Sequence, residues 1–178
     1  VAALTERLQQ EPIDGKLGIA HTRWATHGVP AERNAHPHFS GEWVGIVHNG
    51  IIENHVQLRE RLKNDGYRFT SDTDTEVVAH LIDVYRRQGL NMLDAVMAMR
   101  TELQGAYALA VISPDAPDTL IVARQGSPLV LGLGIGENFI GSDIQAMLPV
   151  TSRFIYLENG DVAKLNRHSI EIYDAVGE

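Results

Sequence analysis

Apolar positions along the chain fall into two textures that meet near Gly105: before it, short apolar runs alternate with stretches of helical period, and after it short strands follow one another. Val1 to Leu8 predicts an amphipathic helix. Leu17-Gly18-Ile19-Ala20-His21 and Trp43-Val44-Gly45-Ile46-Val47-His48 read as buried strands that end in polar residues. A helix over 54–65 follows, with Asn54 and Gln57 in capping-box spacing, a stripe of Val56, Leu58 and Leu62, and a stop at Asp65-Gly66. Thr73 and Glu76 repeat the capping pattern before a helix over 74–88, striped by Val77, Val78, Leu81, Ile82 and Tyr85. Asn91 caps a helix over 91–103, and the tight Gly89 connection predicts that these two helices lie antiparallel.

From Gly105 the pattern predicts strands at 106–112, 119–124, 129–133, 138–141, 154–157, 162–165 and 169–173. Glu158-Asn159-Gly160-Asp161 carries a hairpin signal. Helices gathered in the first half and a run of strands in the second predict an α+β domain with helices packed on sheet. The glycines of Leu131-Gly132-Leu133-Gly134-Ile135-Gly136 lack the spacing and following helix of a dinucleotide loop, so they read as strand and turn.

Composition narrows the function classes. The 178 residues fit one domain able to bury a core. A net charge of −8 argues against a nucleic-acid partner, and no apolar run is long enough to span a bilayer, so neither nucleic acid nor membrane is expected. The chain opens without a signal peptide's basic start and apolar stretch, which makes a cytoplasmic location the expectation. Cysteine is absent, which removes disulfides, thiolate zinc sites and a cysteine nucleophile from these residues.

Three segments concentrate chemistry. In His21-Thr22-Arg23-Trp24-Ala25-Thr26-His27-Gly28, Arg23 offers a planar fork for a carboxylate, and Trp24 and Thr26 can wall and hydrogen-bond a small polar ligand; the alternative is that Arg23 pairs with a structural carboxylate while Trp24 fills a gap. In His48-Asn49-Gly50, the Asn49 amide and the Gly50 backbone N–H can face one developing oxyanion, or Asn-Gly is simply a tight turn. In Ser71-Asp72-Thr73-Asp74-Thr75-Glu76, the acidic groups either cap a helix or supply Asp74 to an ammonium group, so that Arg23 and Asp74 clamp the two ends of a free amino acid. His21, His27, His36, His38 and His48 raise the question of a metal, but their intervals match no ligand motif and no metal or cofactor is expected. No serine sits in a nucleophile elbow.

At these residues the chain resembles, along its whole length, the glutaminase domain of the glutamine:fructose-6-phosphate amidotransferases (glucosamine-6-phosphate synthases). The match runs in order through residues 18–28, Asn34-Ala35-His36-Pro37-His38, residues 47–54, residues 71–76 and Gly126-Ser127-Pro128-Leu129. The Arg-Trp-Ala-Thr-His form separates this group from other class II amidotransferases. The resemblance implies an N-terminal-nucleophile hydrolase fold, a four-layer α/β/β/α sandwich that is incomplete at its N-terminus here. It also implies roles: Arg23 for the glutamine α-carboxylate, Asp74 for its α-ammonium, Asn49 and Gly50 as the oxyanion hole, and Trp24, Thr26 and His27 in the glutamine loop.

The implied chemistry is attack of a thiolate on the side-chain amide, release of ammonia, and hydrolysis of the glutamyl thioester. In the family that thiol is the first residue of the mature enzyme, and the pattern places it ahead of Val1. The 178 residues are therefore expected to be a fragment, inactive alone, with an unpaired edge that favours self-association. The implied partners are L-glutamine or L-glutamate, isomerase domains of the same parent chain that would follow Glu178, and further copies in a parent homo-oligomer of amino sugar biosynthesis. The competing expectations are a non-catalytic amino-acid-binding or regulatory domain and another class II glutamine amidotransferase.

Overall fold

The alternation Gly-Ala-Tyr-Ala-Leu-Ala-Val-Ile at 105–112 sends Tyr107, Leu109 and Val111 to one side of a strand and Ala108, Ala110 and Ile112 to the other, and both sides are packed. A strand apolar on both faces belongs in the middle of a layered structure. The computed structural model describes residues 2–23 and 28–178 and places it there. In chain order the elements are α1 (Ala2–Gln10), β1 (His38–Ser40), β2 (Val44–Ile52), α2 (His55–Asn64), α3 (Glu76–Arg87), α4 (Met92–Arg100), β3 (Gly105–Ile112), β4 (Leu120–Gln125), β5 (Val130–Leu133), β6 (Asn138–Gly141), β7 (Phe154–Tyr156), β8 (Val162–Leu165) and β9 (Ile170–Tyr173), with 3₁₀ turns at Glu32–Asn34 and Ile144–Ala146.

Six strands form an antiparallel sheet in the order β1-β2-β3-β4-β8-β9, and a smaller sheet has the order β6-β5-β7. Helices α2, α3 and α4 cover one face of the larger sheet through Leu58, Leu62, Val77, Leu81, Val96 and Met99, which meet Ile46, Leu109 and Ile121. Its other face meets the smaller sheet across a second core of Ala108, Ala110, Val122, Leu131, Ala163 and Leu165, where small residues on the larger sheet let the two sheets approach. On the outside of the smaller sheet, Met147 follows the 3₁₀ turn Ile144–Ala146 and lies against Gly132. Helices and two antiparallel sheets thus stack as α/β/β, as in the expected sandwich, and among the described residues its fourth, helical layer is represented only by that turn.

Several expectations are corrected. Leu17–His21 is not a strand: Leu17 and Ile19 are partly buried and pack against the core between the sheets, but no described strand pairs with them. β2 does not stop at His48 but runs through Asn49-Gly50 to Ile52 in register with β3, so Asn-Gly is no turn. Glu158 to Asp161 does form a tight turn, closed by the Asp161 carboxylate on the Glu158 N–H at 2.7 Å, but it carries the chain from one sheet to the other. It is not a hairpin, since β7 pairs with β5 and β8 with β4. The Asn54 side chain leaves the helix end and bonds Glu102 and Gln104 instead, and Thr73 makes no cap either. Asn91 does cap α4, accepting from the Asp94 N–H at 3.0 Å.

Leu109 is fully buried between β3 and the helices. Leu109→Ala is expected to cost about 3 kcal/mol of stability through lost transfer energy and a residual cavity. Urea unfolding followed by circular dichroism should show a lower midpoint with an unchanged slope.

Candidate active site

The far end of β2 sets the floor of the site. Gly50 sits opposite Tyr107 with φ +137°, and a Cβ there would lie 2.0 Å from the Ala106 carbonyl oxygen, so only glycine lets β2 and β3 approach this closely. Asn49, one residue earlier, is exposed. Its neighbour His48 points to the helix side, where Nδ1 shares a hydrogen bond of 2.9 Å with the Thr75 hydroxyl.

The loop before α3 forms the opposite wall. Asp74 is buried, and its Oδ2 accepts from the Ile52 N–H at 2.7 Å, which ties the loop to the end of β2. Glu76 holds the rest of the loop: its carboxylate accepts from the Thr70 N–H (2.8 Å) and hydroxyl (3.0 Å) and from the Ser71 N–H (2.8 Å) and hydroxyl (2.6 Å). Burial alone pushes the Glu76 carboxyl up, but His80 and these Ser71 and Thr70 donors bring it down to about 2.

Histidines form the third wall. His21 and His36 stack with ring centroids 4.3 Å apart, and His36 meets the edge of His38 at 4.8 Å. The Arg23 N–H donates to His21 Nδ1 at 2.8 Å and the His48 N–H to His36 Nδ1 at 3.2 Å, so both rings act as acceptors and are neutral in this arrangement. His38 Nε2 shares a 3.1 Å hydrogen bond with the Thr73 hydroxyl. Burial lowers all four imidazoles. It takes His36 to about 3 with help from the neighbouring histidines and Arg23, and takes His48 to about 4 against the attraction of Asp74. The Arg23 guanidinium donates to the backbone carbonyls of Gly28 (3.1 Å) and Val29 (3.3 Å), fastening the chain on the far side of residues 24–27.

Arg23, Asn49, Gly50 and Asp74 line one cavity of about 320 Å³, together with His21, His36, His48, Ile51, Thr73 and Thr75. Trp24, Thr26 and His27 lie outside the described residues. A larger void of about 550 Å³ opens at the opposite end of the sandwich, beside Lys16, Leu120 and Arg167, and holds none of the candidate groups. Among the described residues no three of His, Asp and Glu are grouped to hold a metal ion, and no helix is long and apolar enough to cross a membrane. The histidines, considered from sequence only as ligands, instead build a wall. Their density was the signal; their packing depends on β1 lying beside β2, which was not foreseen.

The glutamine amidotransferase domain model matches residues 9–174. The chain belongs to the glutamine amidotransferase domain family. Among curated relatives it is 62% identical over 173 residues to the glutamine–fructose-6-phosphate aminotransferase [isomerizing] of Acinetobacter baylyi, covering 97% of this chain and 28% of that protein. It is 57% identical over 180 residues to the enzyme of the same name from Pseudomonas aeruginosa, covering 99% of this chain and 29% of that protein. The chain thus spans less than a third of the length of these relatives. Among solved structures, the glutamine phosphoribosylpyrophosphate amidotransferase from B. subtilis, complexed with ADP and GMP, aligns with TM-score 0.71 and 28% identity over 87% of this chain and 34% of that one. The fold is of the N-terminal-nucleophile hydrolase type shared by these structural relatives.

The lowered imidazoles make stability depend on pH. Between pH 6.5 and about 4 the unfolded chain binds protons at His36 and His48 that the folded chain refuses, so stability is full above 6.5 and falls as the pH drops through that window. Glu76 adds to the loss only below its ordinary value of 4.5, down to about 2. The urea midpoint is expected to fall between pH 7 and pH 5, with a shallower fall in His36→Gln; equal slopes in the two proteins would contradict the assignment.

Proposed function

We propose that residues 1–178 form the glutamine-handling part of a glutaminase domain, in a cytoplasmic protein that passes ammonia to fructose 6-phosphate to make glucosamine 6-phosphate. The observation that carries the reading is the convergence of Arg23, Asp74, Asn49 and Gly50 on one cavity of about 320 Å³, a volume suited to a small amino acid. A guanidinium fork pairs with the α-carboxylate and a buried carboxylate with the α-ammonium, while the side-chain amide extends toward Asn49 and Gly50. Trp24, Thr26 and His27 are the further candidate substrate-binding residues of this reading.

The chemistry runs through a thiolate. Its sulfur bonds to the amide carbon, the carbonyl oxygen gains charge and receives hydrogen bonds from the Asn49 amide and the Gly50 N–H, and the carbon–nitrogen bond breaks as nitrogen takes a proton and leaves as ammonia. Water then cleaves the thioester, giving glutamate and returning the thiol. The 178 residues contain no cysteine, so the nucleophile comes from outside them. The proposed partners are L-glutamine or L-glutamate, isomerase domains of the parent chain, which accept the ammonia, and further copies in a homo-oligomer.

Calorimetry should detect binding of L-glutamate that weakens roughly tenfold or more in Asp74→Asn and in Arg23→Met, each of which removes one charge-assisted contact. Unchanged affinity in both variants would remove the cradle. In a coupled assay with glutamine, the 178 residues alone are expected to release no ammonia above buffer background; sustained release would show that the reaction proceeds without a thiol.

A further inference from the structure

An ammonium acceptor is only as well placed as the loop that carries it. Residues 70–75 belong to no helix or strand, yet they are gripped from two sides. Glu76 takes the N–H groups of Thr70 and Ser71. The carbonyl side is held by Arg59, a half-buried residue of α2 that no sequence motif marks: Nη1 donates to the Ser71 carbonyl at 3.0 Å and Nη2 to the Thr73 carbonyl at 2.6 Å. The same guanidinium lies over the Phe69 ring at 4.2 Å, which fixes its plane. The Thr73 carbonyl belongs to the peptide unit that supplies the Asp74 nitrogen, so the clamp acts one bond from the residue it positions. A planar fork spanning two carbonyls sets both their separation and their direction, whereas a lysine would supply a single point charge. Asp72, between the clamped carbonyls, is turned outward to Arg33 at 2.8 Å, leaving Asp74 as the carboxylate that faces the cavity.

We infer that Arg59 is a positioning residue for amino-group recognition: by clamping the Ser71 and Thr73 carbonyls it aims Asp74, and so sets the preference of the cavity for a free α-amino acid over the same skeleton without the amino group. The inference rests on the reading of Asp74 as the ammonium partner. It differs from a purely structural role, because a loop that merely loosened would weaken both kinds of ligand alike.

The test compares L-glutamate with glutarate, which keeps both carboxylates and lacks the ammonium, by calorimetry on the unaltered protein and on Asp74→Asn, Arg59→Met and Arg59→Lys, with urea midpoints measured alongside. The unaltered protein should prefer L-glutamate by roughly tenfold or more, the scale of one charge-assisted contact. Asp74→Asn should abolish that preference. Arg59→Met should reduce it about fivefold or more while glutarate binding stays within about twofold, and Arg59→Lys should fall between. A full preference in Arg59→Met, or an equal loss for both ligands, overturns the Arg59 inference while leaving the Asp74 reading intact. A full preference in Asp74→Asn, or none in the unaltered protein, sinks the Asp74 reading and the inference with it. If Arg59→Met unfolds, Arg59→Lys decides by the same ratio.

Discussion

One buried hydrogen bond holds the two sides of the cavity at a fixed distance: the Ile52 N–H donates to Asp74 Oδ2 at 2.7 Å. Ile52 ends β2, the strand that carries Asn49 and Gly50, and Asp74 belongs to the loop that opens α3. Without that bond, β2 and the loop would still be joined by the His48–Thr75 hydrogen bond and by the apolar contacts between α3 and the sheet, but nothing would tie Asp74 itself to the strand's far end. A carboxylate withdrawn from water for this purpose carries a desolvation cost, and a charge-assisted bond to a backbone N–H is the partner that offsets it. The site is thus a junction between a rigid sheet and a clamped loop.

The sheet side owes its shape to a glycine that no other residue can replace. β2 and β3 stay in register past the point where an ordinary side chain at position 50 would collide with Ala106, and the positive φ there turns the strand without ending it. A strand that continues through Asn-Gly presents the amide of Asn49 from a rigid element rather than from a turn. That is the kind of support a preorganised oxyanion site needs, since its donors must not have to move as charge develops.

Much of this was legible in the sequence where the signal is periodic. The stripes of α3 and α4 and the alternation of β3 and β4 place those elements within a few residues, because each packs a regular face against a core. Signals that depend on a partner were misread. Leu17 and Ile19 have the apolar pattern of a strand, but a strand exists only where another can bond to it. β1 is three residues long and follows Pro37, which leaves no period to detect. Asn159-Gly160 announces a turn correctly and cannot say which sheets the turn connects. Asn54 and Thr73 have the spacing of capping boxes, yet their side chains found tertiary partners instead. Arg59 was invisible for a related reason: on its helix it reads as an exposed cation, and only the fold brings two carbonyls to it.

The histidine wall completes the electrostatic argument. Among the described residues that line the cavity, Arg23 and Asp74 are the groups besides the three imidazoles that can carry charge. Protonating His21, His36 or His48 would add positive charge beside Arg23 and draw any bound carboxylate away from a single defined seat. Burial and two backbone N–H groups aimed at ring nitrogens oppose that protonation, so near neutral pH the described lining presents one cation, one carboxylate and a neutral surround. A ligand carrying one charge of each sign matches this field, whereas a diacid would leave Asp74 facing a like charge and a diamine would do the same to Arg23. The same burial that makes the wall sensitive to acid therefore makes it selective at neutral pH, and neither property can be removed by substitution without disturbing the other.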